Sequence, residues 1–256
     1  MIMISKTYNL LKDFMKIFLT FLMVISSFGL QARVEAVDSI DVDMRLELRE
    51  MTMDGHRPSS NYKQARKDIF QNIHLEKDSD GYFVKDVYCN KIIRTRIGPR
   101  DMPSASIVNI EHTWPKSKFN GRENYNHQQA DLHILYPTDS RANSSRSSFQ
   151  FFDFKEGTRG LPDCGSSIKE YVSGRRTYGF EPPSEHKGNV ARALFYFSLR
   201  YQSHISDGEE EILRKWNEMD PPDEAELRRN DLIEDIQGNR NPFIDDHDFA
   251  DFIDNF

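Results

Sequence analysis

Apolar positions recur with helical spacing in several stretches of the chain. Ala65, Ile69, Phe70 and Ile73 share one face of a helix predicted over about 61–74, with Ser59 and Ser60 placed to cap its start. Residues 37–80 as a whole read as helical, up to the turn signal Asp78-Ser79-Asp80-Gly81. Val190, Ala191, Leu194, Phe195, Phe197, Leu199 and Tyr201 form a stripe wide enough for a buried helix over 185–202. Ile212, Leu213 and Trp216 mark another over 207–218, and Asp220-Pro221-Pro222 restarts a further one that runs to about Ile236. Gln237-Gly238-Asn239-Arg240-Asn241-Pro242 then breaks the pattern. Between the helices lie three short β-prone runs: 82–88, 107–110 and 131–136, the last stopped by Pro137. The polar stretch 138–148 reads as a loop or a helix start. No repeat or linker interrupts the chain after residue 37, so one mixed α/β domain is expected there.

The first 36 residues follow a different rule. Lys6, Lys12 and Lys16 precede an apolar run of about 14 residues, 17–30. That is short of the roughly 20 needed to span a bilayer as a helix. Val34 and Ala36 offer a small-x-small cleavage site, so residues 1–36 read as a secretion signal and the mature chain as 37–256. Met15 offers an alternative start, and an uncleaved anchor is the competing reading. No stable membrane association is expected after cleavage. Export implies an oxidising compartment, where the two cysteines, Cys89 and Cys164, can pair or remain two buried thiols.

Composition and charge narrow the class. With 18 Phe, 10 Tyr and 2 Trp among 256 residues, the chain has ample apolar area to fold. Two cysteines exclude a four-cysteine zinc site within one chain. The net charge of −7 is unevenly spread: residues 201–256 carry 5 Lys/Arg against 17 Asp/Glu, whereas residues 101–200 carry 13 against 11. A nucleic-acid site in the middle segment is therefore compatible with an acidic total, since the local field steers a polyanion.

The chemistry concentrates in 109–150. Glu111 and Asn143 are hard oxygen donors, and two protein oxygens plus waters and phosphate oxygens suit Mg²⁺. Neutral His112 is a base of near-physiological pKa. Arg146 could pair with a phosphate through its planar fork or brace Asp139. A base, a cation site and an anion clamp are the parts of metal-assisted phosphodiester hydrolysis. Taken singly, a Glu-His pair and a Ser/Asn/Arg-rich loop are common and need carry no chemistry.

Five ordered pieces together resemble the endonuclease I family of bacterial periplasmic and secreted nucleases, within the ββα-metal (His-Me finger) superfamily. They are Val87-Tyr88 with Asn109-Ile110-Glu111-His112-Thr113-Trp114-Pro115; Asp131-Leu132-His133-x-Leu135-x-Pro137; Asn143-x-x-Arg146-Ser147; 188–196; and 237–243. The resemblance covers roughly residues 60–245. It implies an α+β fold, mostly helical, around a ββα unit over about 107–151 whose helix begins near Arg141.

It also implies roles. His112 would be the general base, and Glu111 and Asn143 would hold one Mg²⁺, with Ca²⁺ or Mn²⁺ as substitutes. Arg122 would be the phosphate-contacting arginine of the loop between the motifs. The substrate would be DNA, RNA or both, cut without sequence preference to 5′-phosphate products, and a monomer is expected. His133 reads as a buried hydrogen-bonding residue, and Arg192 as a structural partner of an acid such as Asp131 or Glu181. One departure stands out: Ile134 occupies a position where many relatives carry Asn. A catalytically dead nucleic-acid-binding relative and a toxin delivered to competing cells are the alternative functions.

Overall fold

The computed structural model describes residues 44–256, and everything below concerns these. The secretion-signal reading of 1–36 and the start of the predicted mature chain lie outside them. Helices and small sheets both occur, so the chain is an α+β protein. A helical stretch over 44–53 precedes α1 (Tyr62–Asp68), which Asn61 caps by accepting from the Gln64 N–H. The apolar stripe continues past α1, but its last turn, Ile69–Ile73, is wound as a π-helix.

A first antiparallel sheet follows, with strand order β1 (Glu76–Asp78), β2 (Gly81–Lys85) and β3 (Ile92–Ile93). The predicted strand over 82–88 stops short because Asp86 turns the chain. Its buried carboxylate accepts from the backbone N–H groups of Tyr88, Cys89 and Lys91, and from that of Asp139 across the fold. Four backbone donors on one carboxylate hold a tight loop where a strand would otherwise continue.

The centre of the molecule is a two-stranded antiparallel ladder, β4 (Val108–His112) and β5 (Leu135–Asp139), in the register Ile110↔Pro137 and His112↔Leu135. Pro137 was expected to end its strand. It instead sits inside β5, which a two-stranded sheet tolerates because each strand has a side without a partner. Residues 132–134 form a 3-10 turn before β5, and α2 (Tyr125–Ala130) lies in the connection. From β5 the chain passes directly into α3 (Ser140–Arg146). Asp139 caps this helix by accepting from the Arg141 and Ala142 N–H groups, and Lys91 pairs with it at 2.7 Å.

A third sheet has the order β6 (Gln150–Phe151), β8 (Thr177–Glu181), β7 (Ile168–Val172), parallel at the first pairing and antiparallel at the second. The apolar helix α4 (Lys187–Tyr201) is buried along nearly its whole length, and α5 (Asp207–Met219) packs against it. Helix α6 (Glu224–Gln237) ends at Gly238, whose φ of +86° closes the turn. A Cβ there would lie 2.3 Å from the Gly55 carbonyl oxygen, so glycine is required by both conformation and space. The short α7 (Pro242–Asp245) and a 3-10 segment at 247–252 complete the chain.

Candidate active site

Strand alternation starts the site. Asn109 and Glu111 are two apart on β4 and so share a face. Helix α3 covers that face with Asn143 and, three residues on, Arg146. Asn143 donates from Nδ2 to Asn109 Oδ1 at 2.8 Å, and Asn109 donates in turn to Ser140 Oγ at 3.3 Å. The amide of Asn143 is thereby oriented, with its Oδ1 left as an acceptor carrying no hydrogen bond among the described residues.

Glu111 is 2% exposed. Its Oε1 accepts from the Tyr88 hydroxyl at 3.1 Å and pairs with Arg146 Nη1 at 3.1 Å. Its Oε2 has no partner among the described residues. Burial pushes the Glu111 carboxyl up to about 7 against the opposing pull of Arg146 and the Tyr88 hydrogen bond. Two oxygens, one carboxylate and one amide, are thus held on facing elements with a free lone pair each. That donor set fits a hard divalent cation.

His112 ends β4 and is 6% exposed. Its Nε2 lies 3.0 Å from the Gln129 carbonyl oxygen. A carbonyl only accepts, so the ring proton sits on Nε2 and the lone pair on Nδ1. The ring packs against Tyr62 at 5.3 Å and Phe119 at 6.1 Å. Burial, with the positive charges of Lys116 and Arg146 nearby, lowers its pKa to about 4, so the imidazole is neutral at neutral pH.

Arg146 is 2% exposed, and both terminal nitrogens of its guanidinium are committed to the protein. Besides Glu111 it donates to the carbonyls of His112 at 3.3 Å and Thr113 at 2.7 Å, and its guanidinium lies 4.7 Å from the centre of the Phe151 ring. It makes no contact with Asp139, which Lys91 takes instead. The structure therefore joins Glu111, His112, Asn143 and Arg146. Arg122 stands apart from these four: it is exposed and donates to the Gln202 carbonyl at 3.1 Å, beside a second cavity.

Three residues to which the sequence assigned no role complete the arrangement: Asn109, Tyr88 and Gln129. Asn109 was findable, since it stands two residues before Glu111 on a predicted strand. Tyr88 is held by the Asp86 turn and by the disulfide Cys89–Cys164 beside it; its carbonyl accepts from Ser166 and Ser167. Pairing across 75 residues has no local signal.

The other polar residues of the motifs are structural. His133 is fully buried, with Nε2 at 3.2 Å from the Asn239 carbonyl. Arg192 pairs with Glu226, not with the expected Asp131 or Glu181. Asp131 is taken by the Tyr196 and Tyr201 hydroxyls at 2.9 and 2.8 Å, and Glu181 by Lys187 at 2.5 Å.

A strand pair and a capped helix that hold a carboxylate, an amide oxygen and a neutral imidazole have the composition of a hydrolytic centre. The family model for Endonuclease I matches residues 43–248. The chain is 33% identical over 216 residues to an extracellular ribonuclease of Bacillus amyloliquefaciens, covering 77% of this chain and 71% of that one. It is 33% identical over 163 residues to an extracellular ribonuclease of Bacillus subtilis (strain 168), covering 57% and 53%. It is 28% identical over 156 residues to an extracellular deoxyribonuclease of Aeromonas hydrophila, covering 55% and 66%. The molecule is thus an enzyme of the endonuclease class. It belongs to the endonuclease I family.

Proposed function

We propose that this chain is an exported endonuclease that hydrolyses phosphodiester bonds of DNA, RNA or both. The relatives named as extracellular and periplasmic nucleases support both the activity and the location, as does the disulfide, a bond characteristic of oxidising compartments. Residues 1–36 would be the export signal and 37–256 the nuclease domain. No helix among the described residues is long and apolar enough to cross a membrane. The protein acts as a monomer.

The observation that carries the mechanism is the set of three unused acceptors, Glu111 Oε2, Asn143 Oδ1 and His112 Nδ1, on a β–β–α unit formed by β4, β5 and α3. We read that unit as a His-Me finger. Glu111 and Asn143 would hold one Mg²⁺, with Ca²⁺ or Mn²⁺ as substitutes. When bound, the cation supplies positive charge to the phosphate oxygens, whose negative charge grows in the transition state. His112 takes a proton from the attacking water at Nδ1, and the Gln129 carbonyl holds the ring in the tautomer that can do so. Loss of the leaving 3′ oxygen gives 5′-phosphate products. Arg146 is a positioning residue: it fixes the Glu111 carboxylate and the end of β4 and does not reach the phosphate. Arg122, exposed to solvent, would contact phosphate.

A gel assay of the mature chain tests this reading. Plasmid DNA and structured RNA are incubated with Mg²⁺, with EDTA, and with the Glu111→Ala variant in Mg²⁺. Degradation that needs Mg²⁺ and is lost in the variant is expected. Intact polymer in Mg²⁺, Mn²⁺ and Ca²⁺ alike would contradict the proposal and favour a binding-only relative.

A further inference from the structure

Beside the site lies a cavity of about 360 Å³ whose cations have no counter-charge. That volume lies within the range of ~300–1,000 Å³ common to ligand pockets. Lys63, Arg66, Lys67 and Arg96 line it over a floor that includes Met102 and Pro103, and no carboxylate lines it. None of the four forms an ion pair or hydrogen bond with an acid among the described residues. Other arginines of the chain do have acid partners: Arg94 with Asp78, Arg192 with Glu226, Arg200 with Glu123, and Arg240 with three acids. The one acid on the same helix, Asp68, is buried and turned to Ser59 and Gln64.

The placement on α1 links this cavity to the base. Lys63, Arg66 and Lys67 stand at i, i+3 and i+4 and share a helix face. Tyr62 precedes them, four residues before Arg66, and its ring packs 5.3 Å from that of His112. Lys116, which follows the Glu-His motif, lies with its ammonium 5.6 Å from the Tyr62 ring centre. Arg96 reaches the cavity from a residue in left-handed backbone conformation, φ +57°, a strained arrangement for a side chain that packs against nothing acidic.

We infer that Lys63, Arg66, Lys67 and Arg96 form a phosphate-backbone track that holds the substrate strand on one side of the scissile bond. The inference rests on the nuclease reading for its occupant, a nucleic acid strand. Only a polyanion with regularly spaced charges would satisfy several unpaired cations along one helix. Tyr62 and Lys116 carry the strand from the track to His112, and Tyr62 offers an aromatic face at the junction. Contacts to phosphate alone give no sequence preference.

Binding rather than turnover tests it. Fluorescence anisotropy in EDTA measures the affinity of the full chain for a labelled single-stranded oligonucleotide of about twenty nucleotides, against a labelled dinucleotide, across a salt series. The Arg66→Ala/Lys67→Ala variant should lose on the order of tenfold of the longer ligand's advantage, and the slope of log K against log salt should shrink by about 1.4, since each single-strand phosphate contact contributes ~0.7. Arg96→Ala, a loop substitution that leaves α1 intact, should lose part of the same advantage, and Arg66→Lys/Lys67→Arg should restore it. An unchanged length advantage and salt slope in both alanine variants would overturn the track. So would loss of inorganic phosphate binding with the oligonucleotide unaffected. The two readings fail separately: a wild type that binds through these residues but never cleaves removes the nuclease, and cleavage with unaltered binding in the variants removes the track.

Discussion

Two buried polar clusters lie within the same core and differ in how their hydrogen-bonding capacity is used. Around Asp131 both oxygens of the carboxylate are taken. Its carboxylate receives the His133 N–H, the Gln237 amide and the hydroxyls of Tyr196 and Tyr201. Asn239 donates to the Thr52 carbonyl and to Tyr196, and Arg229 donates to the carbonyls of Leu132, His133 and Leu135. Around Glu111 the network stops short: Tyr88, Arg146, Asn109 and Gln129 each orient one end of a side chain and leave the other end free. A satisfied buried network fixes a fold, because removing one member orphans the rest. An oriented, incompletely used one keeps lone pairs for a ligand.

Predictions that would break or sharpen this contrast run from the largest effect to the smallest. Asp131→Ala should destabilise the protein by about 3–5 kcal/mol, since it strands two tyrosine hydroxyls and an amide at ~1–3 kcal/mol each. Urea unfolding measures this, and the fraction still folded should cleave normally. Reduction of Cys89–Cys164 should remove about 2–4 kcal/mol. It should also weaken cleavage by loosening Tyr88 and hence Glu111, so the rate measured below the unfolding transition should fall on addition of reductant. Asn109→Ala should leave unfolding nearly unchanged and raise the Mg²⁺ needed for half-maximal cleavage by about 10–100-fold, the size typical of residues that orient a metal ligand.

Acid gives the finest distinction. Burial lowers His133 and His186 to about 3 and His112 to about 4, against 6.5 for the free side chain. Above pH 6.5 these groups are neutral whether the chain is folded or unfolded, and they do not affect stability. Below it the unfolded chain takes up protons that the folded chain refuses. Each histidine then costs up to about 1.4 kcal/mol per pH unit, until its folded value is reached. Stability should therefore fall as pH drops from about 6.5 toward 4, with a shallower slope in His186→Gln, measured by thermal unfolding at each pH.

Much of this was legible in the sequence, and the reasons for the rest are physical. The helices at 62–73, 187–201, 207–219 and 224–237 follow from apolar periodicity, whereas the polar stretch after Pro137 left loop and helix open and only the family resemblance implied α3. The sheet of β6, β7 and β8 was not anticipated. Its outer strand β7, Ile-Lys-Glu-Tyr-Val, has no buried residue, and a short exposed strand carries a weak signal. The π-wound turn at 69–73 keeps nearly the same apolar pattern as an α-helix, so sequence cannot separate the two. At the site, Glu111, His112 and Asn143 stood out by residue type and order. The partners of Arg146 and Arg192 did not, because pairing at long sequence separation is decided by packing.

The sharpest test pits two buried histidines against each other. Each donates from Nε2 to a backbone carbonyl, His112 to that of Gln129 and His133 to that of Asn239. Cleavage rate and urea stability are measured on the same preparations of His112→Ala and His133→Ala. The account predicts a crossing result. The first variant loses about 10²–10⁴ in rate and no more than about 1–2 kcal/mol in stability. The second loses about 2–4 kcal/mol with a near-normal rate per folded molecule. Near wild-type cleavage by His112→Ala, or a rate lost equally in both variants, would contradict the assignment of His112 as the base.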